Sequence, residues 1–502
     1  MNAGSNNYDV IVVGGGNAAL CAALSARENG AKVALLERAP EAERGGNSSF
    51  TEMIRFAFNG ADDIRALCPD LTDAEVASSD FGSYTEEQYF DDMARVTQNR
   101  TDPDLCEIMI KNSNGMMHWL RKNGVRFMPW YGKQAYKIGG RYKFFGGSIL
   151  QMWGGGEGLV AALYKTAAKN GIDICYNAWV QELISSDTGV SGVVVKLNGH
   201  TRTIKAGAVV LACGGFESNP EWRTRYLGKG WDLAKVRGTK YNTGDGLAMA
   251  MRIRAAPYGH WSGCHAVSWE RYATEFGDRV IAPNFRRQTS YPFGIMVNSE
   301  GKRFLDEGAD FRNYTYAKYG QIVLEQPGQY AYQIYDARVT HLLWEGYKSK
   351  YATRVAAGSI EELAEKLNDV RKDQLLRTIR EFNASIKTDR PFNPNIKDGR
   401  CTTGLDIPKS NWANLIDTPP FEAYAVTCAI TFTYGGVRIT REAQVQNTNL
   451  EPIPGLFAAG EMVGGIFYHN YPGGTGLMSG AVFGRIAGRS AASFAKEKTV
   501  MR

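Results

Sequence analysis

Residues 8–37 read YDVIVVGGGNAALCAALSARENGAKVALLE, and no other stretch limits the fold so narrowly. An apolar run from Val10 enters Gly14-Gly15-Gly16, an Ala-rich helix follows to about Asn29, Gly30 stops it, and Lys32 to Leu36 forms a second strand. This is a βαβ unit. Gly14 permits the tight turn, Gly16 lets the backbone approach a pyrophosphate, and Ala19 takes the third small position, where helix and strand pack closely. Asn17 and Ala18 open the helix, whose free N–H groups and positive end favour phosphate. Glu37 closes the second strand where an acid would accept both ribose hydroxyls and oppose a 2′-phosphate, with Arg38 beside it. A glycine-rich turn in some other α/β protein is the plain alternative, but it would not bring strand, helix, strand and acid together at these spacings.

At 502 residues the chain exceeds the ~250–300 at which single cores stop growing, so more than one domain is expected. The net charge of +6 comes without a dense Lys/Arg run, which argues against nucleic acid as a partner; basic residues in a pocket would instead suit an anionic substrate. The eight cysteines form no CxxC or CxxCH pattern, so no metal, c-type haem or iron–sulfur site is expected. The polar opening MNAGSNN runs straight into a strand, and no apolar run of ~18 residues follows anywhere. A cytoplasmic protein without a signal peptide or membrane span is the expectation.

Beyond Glu37, RAPEAERGGNSSFT is too polar and glycine-rich to continue an element and reads as a cofactor loop, with Gly45-Gly46 for backbone contact and Asn47, Ser48 and Thr51 for hydrogen bonds. Residues 60–125 have the spacing of amphipathic helices. The aromatic and basic stretch from Phe127 to Trp153 is expected to be a loop covering a cleft. Strands near Ile172–Tyr176 and Gly192–Lys196 lead to KAGAVVLACGGF, a buried strand ending in a glycine turn with Ala212 and Gly214. NTGDG at 242–246 suggests a helix capped by Asn242 or Asp245. Residues 358–386 read as two polar-faced helices, and IPGLFAA as a last strand before Gly460-Glu461. The stretch YPGGTGL then opens a long C-terminal helix.

Four separated pieces, GGGNAA with Glu37, ERGGNSSFT, VVLACGGF, and IPGLFAAGEMVGG followed by GGTGL, together resemble the flavoprotein family of fumarate reductase and succinate dehydrogenase. VNSEGKRFLDE at 297–307 resembles that family's capping domain, and ERGGNSSFT, TFTYGG and YPGGTGL resemble its tricarballylate dehydrogenase branch. The resemblance implies an α/β fold, a Rossmann-type FAD-binding domain with an inserted α+β capping domain: residues 1–219 and 356–502 for the first, 220–355 for the second. It implies FAD as cofactor, with Glu37 on the adenosine ribose, Ser48 and its neighbours at the flavin edge, Glu461 on the ribityl chain, and Gly474, Gly476 and Leu477 at the flavin C2 carbonyl. The loop GGNSSF lacks the histidine of covalently flavinylated relatives, so the FAD is expected to be non-covalent. Arg312 falls on the family's proton-transferring arginine, His265 near its substrate histidine, and Arg286 or Arg287 near a second arginine.

Two departures are as informative. Phe432 stands where fumarate-type enzymes have a histidine, and Tyr471 where they have an arginine, so half of a dicarboxylate clamp is missing. One expected reaction is desaturation beside a carboxylate, tricarballylate to cis-aconitate, with Arg312 relaying a proton through a nearby carboxylate or tyrosine, Glu307, Asp310, Tyr314 or Tyr316. Another is desaturation of a cyclic ketone or keto acid of the ketosteroid type, with Tyr471 polarising the carbonyl and Tyr434 or Tyr314 as base. A flavin-binding electron carrier or sensor without turnover is the alternative from a different class. Either enzyme would pass electrons to an external acceptor: a quinone, an electron-transfer protein or oxygen.

Overall fold

The first strand, Asn7–Val13, lies inside an eight-stranded sheet, parallel to Val33–Leu36 on one side and to His200–Leu211 on the other. Its apolar run is buried on both faces, as a parallel strand between helical layers must be. The computed structural model describes residues 7–279, 288–387 and 389–500. Asn17–Glu28 forms the expected helix, and it packs along the C-terminal helix Thr475–Val500. At Gly488 an added Cβ would stand 2.1 Å from the Ala22 carbonyl oxygen, so only glycine allows these backbones to approach so closely. Asp173–Cys175 extends the sheet beyond Val33–Leu36, and Pro452–Ala458 joins it beside Val209–Leu211. The fold is the α/β class with a second, mixed layer, as the sequence implied.

That second layer is a six-stranded sheet organised on one 17-residue strand, Phe421–Val437. It pairs antiparallel with Pro257–Glu270, Tyr330–Tyr335 and Arg354–Ala357, and parallel with Lys235–Val236. The boundary expected between residues 355 and 356 therefore cuts through one hydrogen-bonded sheet. The helices Ile360–Lys366 and Lys372–Ser385 belong beside this sheet as well: their apolar faces, through Leu363, Leu375, Ile379 and Phe382, pack on Ile295, Ile334 and Ala423. Their polar outer faces carry no signal of which sheet they cover, so sequence order alone was a poor guide there.

Two further expectations are revised. Phe127–Trp153 is not an open loop: Phe127–Pro129, Ala135–Ile138, Arg141–Phe144 and Leu150–Met152 are strands of two small three-stranded sheets, with Trp130 buried. The helix Asp245–Arg252 begins as expected, but Gly244 is its N-cap and no side chain caps it, because Asp245 is bonded elsewhere. All eight cysteines are free thiols. Among the described residues no helix is long and apolar enough to cross a membrane, and no cluster of metal-ligating side chains occurs.

Candidate active site

Between the two sheets lies the main cleft, which begins at the glycine turn after the first strand. Gly14 has φ 113°, its N–H donates to the Leu36 carbonyl at 2.9 Å, and a Cβ there would meet the Ala212 carbonyl oxygen at 2.3 Å. Gly16, Asn17, Ala18, Glu37, Arg38, Gly46, Asn47, Ser48, Ala212, Gly214, Asp245, Glu461, Gly474, Gly476 and Leu477 line the same cleft with it. Gly45 is the exception; it shapes the loop from behind, with φ 102° and its α-carbon turned toward Ser49 and Val160.

Asn17 joins three of these segments. Its backbone N–H donates to Ser48 Oγ at 2.9 Å and its Nδ2 to the Leu477 carbonyl at 2.9 Å. Arg38 donates to Asp245 Oδ2 and to Thr243 Oγ1, each at 2.6 Å, and its guanidinium lies 4.8 Å from the centroid of the Trp179 ring, which also lines this end of the cleft. Glu37 is buried and accepts from the Ala39 N–H at 2.8 Å; burial raises its pKa, opposed by backbone N–H groups and by Arg279. A glycine-walled slot, a helix N-terminus and a buried acid at the second strand's end fit an adenine dinucleotide.

Midway along the cleft a carboxyl pair closes the wall. Glu217 Oε1 accepts from Asn47 Nδ2 and Asn242 Nδ2, both at 2.6 Å, while Glu461 Oε1 accepts from the Thr433 N–H at 2.7 Å. Burial, and then the neighbouring Glu461, hold Glu217 well above the usual carboxylate range; Glu461 is raised too, by burial. Burial and mutual repulsion therefore favour one shared proton over two charges on this pair.

The far end is aromatic. Register in the second sheet puts His265 opposite Phe432, because Pro257–Glu270 runs antiparallel to Phe421–Val437 with irregularities on either side of Cys264 and His265. Tyr316 arrives from the helix Arg312–Leu324 and Tyr471 from the turn before the C-terminal helix; their hydroxyls are hydrogen-bonded. The buried His265 ring stands edge-on to Tyr316, 4.9 Å between centroids, and 4.9 Å from Tyr471 and 5.3 Å from Phe432. Burial, then the adjoining Tyr316, push the Tyr471 phenol well above its ordinary value. Tyr434 also lines the cleft, buried, and its hydroxyl has no hydrogen-bond partner among the described residues.

Not every expected residue meets at this end. Arg312 lines a separate, smaller cavity with Lys133, its guanidinium 5.4 Å from the Trp130 ring. It is the first residue of its helix, and side chains lean toward a helix N-terminus, so it reaches away from Tyr316 one turn on. Tyr314 is likewise drawn off: its hydroxyl donates to Asp92 at 2.5 Å and accepts from the buried Arg55 at 3.2 Å, beside Tyr84. Arg286 and Arg287 lie outside the described residues. Tyr316, expected only as one of several proton-relay candidates, lines the cleft, whereas Phe467, Arg237 and Glu217 belong to the site or its wall and were not among the expected site residues. Of these last three, only Glu217, directly after the glycine turn, carried a local hint.

Comparison with known proteins agrees with this architecture. A family model described as "FAD binding domain" matches residues 9–477, and the chain belongs to that family of flavoprotein oxidoreductases. Over 98% of its length it is 29% identical to the "Fumarate reductase (cytochrome)" of Shewanella frigidimarina, covering 78% of that protein. It is 28% identical to the "NADH:fumarate oxidoreductase" of Klebsiella pneumoniae, of which it spans about half, 48%. The "Vinyl phenol reductase" of Lactiplantibacillus plantarum is 26% identical, with 99% of this chain and 98% of that one covered. Among solved structures, the open conformation of a flavocytochrome c3 fumarate reductase has a TM-score of 0.73 at 26% identity, covering 98% of this chain and 79% of that one. A 3-ketosteroid Δ1-dehydrogenase from Sterolibacterium denitrificans shares the fold, also at 0.73, with 19% identity and coverage of 97% and 100%.

Proposed function

We propose that this chain uses non-covalently held FAD to make or remove a C=C bond beside the carbonyl of a cyclic ketone or keto acid. The bonded Tyr316 and Tyr471 hydroxyls at the aromatic end of the cleft carry this reading. Bound FAD supplies a two-electron acceptor or donor that exchanges a hydride with the substrate's β-carbon. If Tyr316 donates to the Tyr471 oxygen, the Tyr471 proton is directed to a substrate carbonyl, and burial keeps that phenol neutral and a donor at pH 7. His265, packed against both tyrosines, is the lining group whose ring nitrogens can exchange the α-proton. Phe432, Tyr434 and Phe467 pack on one another and on Tyr471, and such an apolar wall strengthens the single hydrogen bond the carbonyl receives.

Tricarballylate would require several cations at one end of the cleft. Arg237, which does line it, donates to the Phe50 carbonyl, and Arg312 faces the other cavity. On the described residues alone, the ketone reading therefore stands ahead of the tricarboxylate one, and succinate and fumarate follow behind both. The absence of a histidine in GGNSSF supports a non-covalent cofactor, and the sequence holds no haem or cluster motif, so an external quinone, electron-transfer protein or oxygen would complete the cycle. Anaerobic titration of the holoprotein with 4-oxocyclohexanecarboxylate, a 3-ketosteroid, tricarballylate and succinate, read by flavin bleaching, tests the assignment. Bleaching by a ketone but not by the acids is expected; bleaching by tricarballylate alone would overturn it, and bleaching by none would favour a carrier.

A further inference from the structure

Behind the wall of the cleft lies the second cavity, smaller and with a lining unlike that of the first. The two share the buried ion pair Glu52–Lys133: Glu52 faces the cleft, Lys133 the smaller cavity, and their charged atoms are 3.0 Å apart. The Lys133 ammonium sits 3.3 Å from the centroid of the Trp344 ring, and Arg312 supplies a second cation. No carboxylate occurs among the described residues that line this space. Two polar groups on it are left over. Thr289, only 1% exposed, has a hydroxyl with no hydrogen-bond partner among the described residues, and the same holds for the buried indole N–H of Trp344. The remaining wall is flat and apolar, with Phe311 stacked 4.4 Å from Phe145 and 5.5 Å from Trp412.

A buried space with two cations, an indole N–H and a hydroxyl is rich in donors and poor in acceptors. Its rings favour a flat or cyclic body. We propose that this cavity binds a small monocarboxylate carried on an aromatic or alicyclic ring, with the carboxylate toward Lys133, Arg312, Thr289 and Trp344 and the ring against Phe311 and Trp412. This site is separate from the flavin cleft and does not depend on which substrate is reduced or oxidised there. Because Lys133 is held by Glu52, a bound carboxylate would share the ammonium with a residue of the cleft wall.

Calorimetric titration of the holoenzyme with benzoate, and with benzamide as the neutral isostere, tests this. Benzoate is expected to bind, and benzamide about tenfold or more weakly. The variant Thr289→Val/Trp344→Phe, which keeps shape and removes both donors, should lose benzoate affinity by about tenfold. Tyr471→Phe, in the cleft, should leave it unchanged, with no shift in flavin absorbance on binding. Should the double variant fail to retain flavin, Thr289→Val alone carries the same comparison, with a smaller loss. Equal binding of benzamide, undiminished benzoate binding in the donor-free variants, displacement by Tyr471→Phe, or no binding at all would each overturn the proposal.

Discussion

The two ends of the cleft are built in opposite ways. The dinucleotide end comes chiefly from contiguous chain: within 24 residues, Gly14 to Glu37, it has its turn, helix N-terminus and acid. The aromatic end gathers His265, Tyr316, Phe432 and Tyr471 from four distant segments, and strand register and a single helical turn decide which side chains meet. The first end is fixed by backbone geometry and tolerates little. The second is fixed by side chains and would be the natural place for relatives on this fold to differ in substrate.

Four measurements would break or sharpen that contrast. The largest effect is expected at Gly14→Val, where positive φ and a Cβ 2.3 Å from a backbone oxygen together cost about 5 kcal/mol. The purified protein should contain almost no flavin, and a full flavin complement would remove the close approach from the argument. Next, Tyr471→Phe should keep the flavin spectrum and lower kcat for a ketone by about 10²–10³. A change confined to KM would point instead to a carboxylate held by affinity alone.

Smaller again is Arg55→Met. Arg55 is fully buried, donates to the Gly473 carbonyl at 2.9 Å and to Tyr84 and Tyr314, and so ties the turn carrying Tyr471 to the cofactor loop. Its loss should cost about 3 kcal/mol in denaturant unfolding; an unchanged midpoint would show the cluster to be dispensable. The smallest effect concerns Glu217→Gln. Both carboxyls of the pair are raised, so the stability tied to their shared proton is present below the ordinary glutamate range and is lost as pH rises through the folded-state values. The glutamine needs no proton. Wild type and variant should melt together near pH ~4 and separate by about 1 kcal/mol in the variant's favour near pH ~8. A constant difference across pH would argue against a shared proton.

Sequence reading served the two ends unequally for the same reason. Glu37, Ser48 and Glu461 sit within short motifs whose backbone path is set by glycine, and each lines the cleft. Arg312 was singled out by the family resemblance, with Tyr314 and Tyr316 among its relay candidates, yet a helix turns about 100° per residue, and of the three only Tyr316 lines the cleft. Similarly, 358–386 was legible as two helices but not as the cover of the second sheet. Helix periodicity tells which face is apolar without telling which partner it meets.

By itself the sequence determined the βαβ unit, the glycine approaches and the acid that together define the dinucleotide end, because hard-sphere limits on φ and hydrogen-bond demands of a strand–turn–helix act over a few residues. Tertiary structure alone decided that His265 lies opposite Phe432, that Tyr316 bonds Tyr471, that Glu217 leans on the wall beside Glu461, and that Arg312 turns to the second cavity. These pairings depend on strand register and on side-chain direction at a helix start, where a shift of one residue reverses which face is inward.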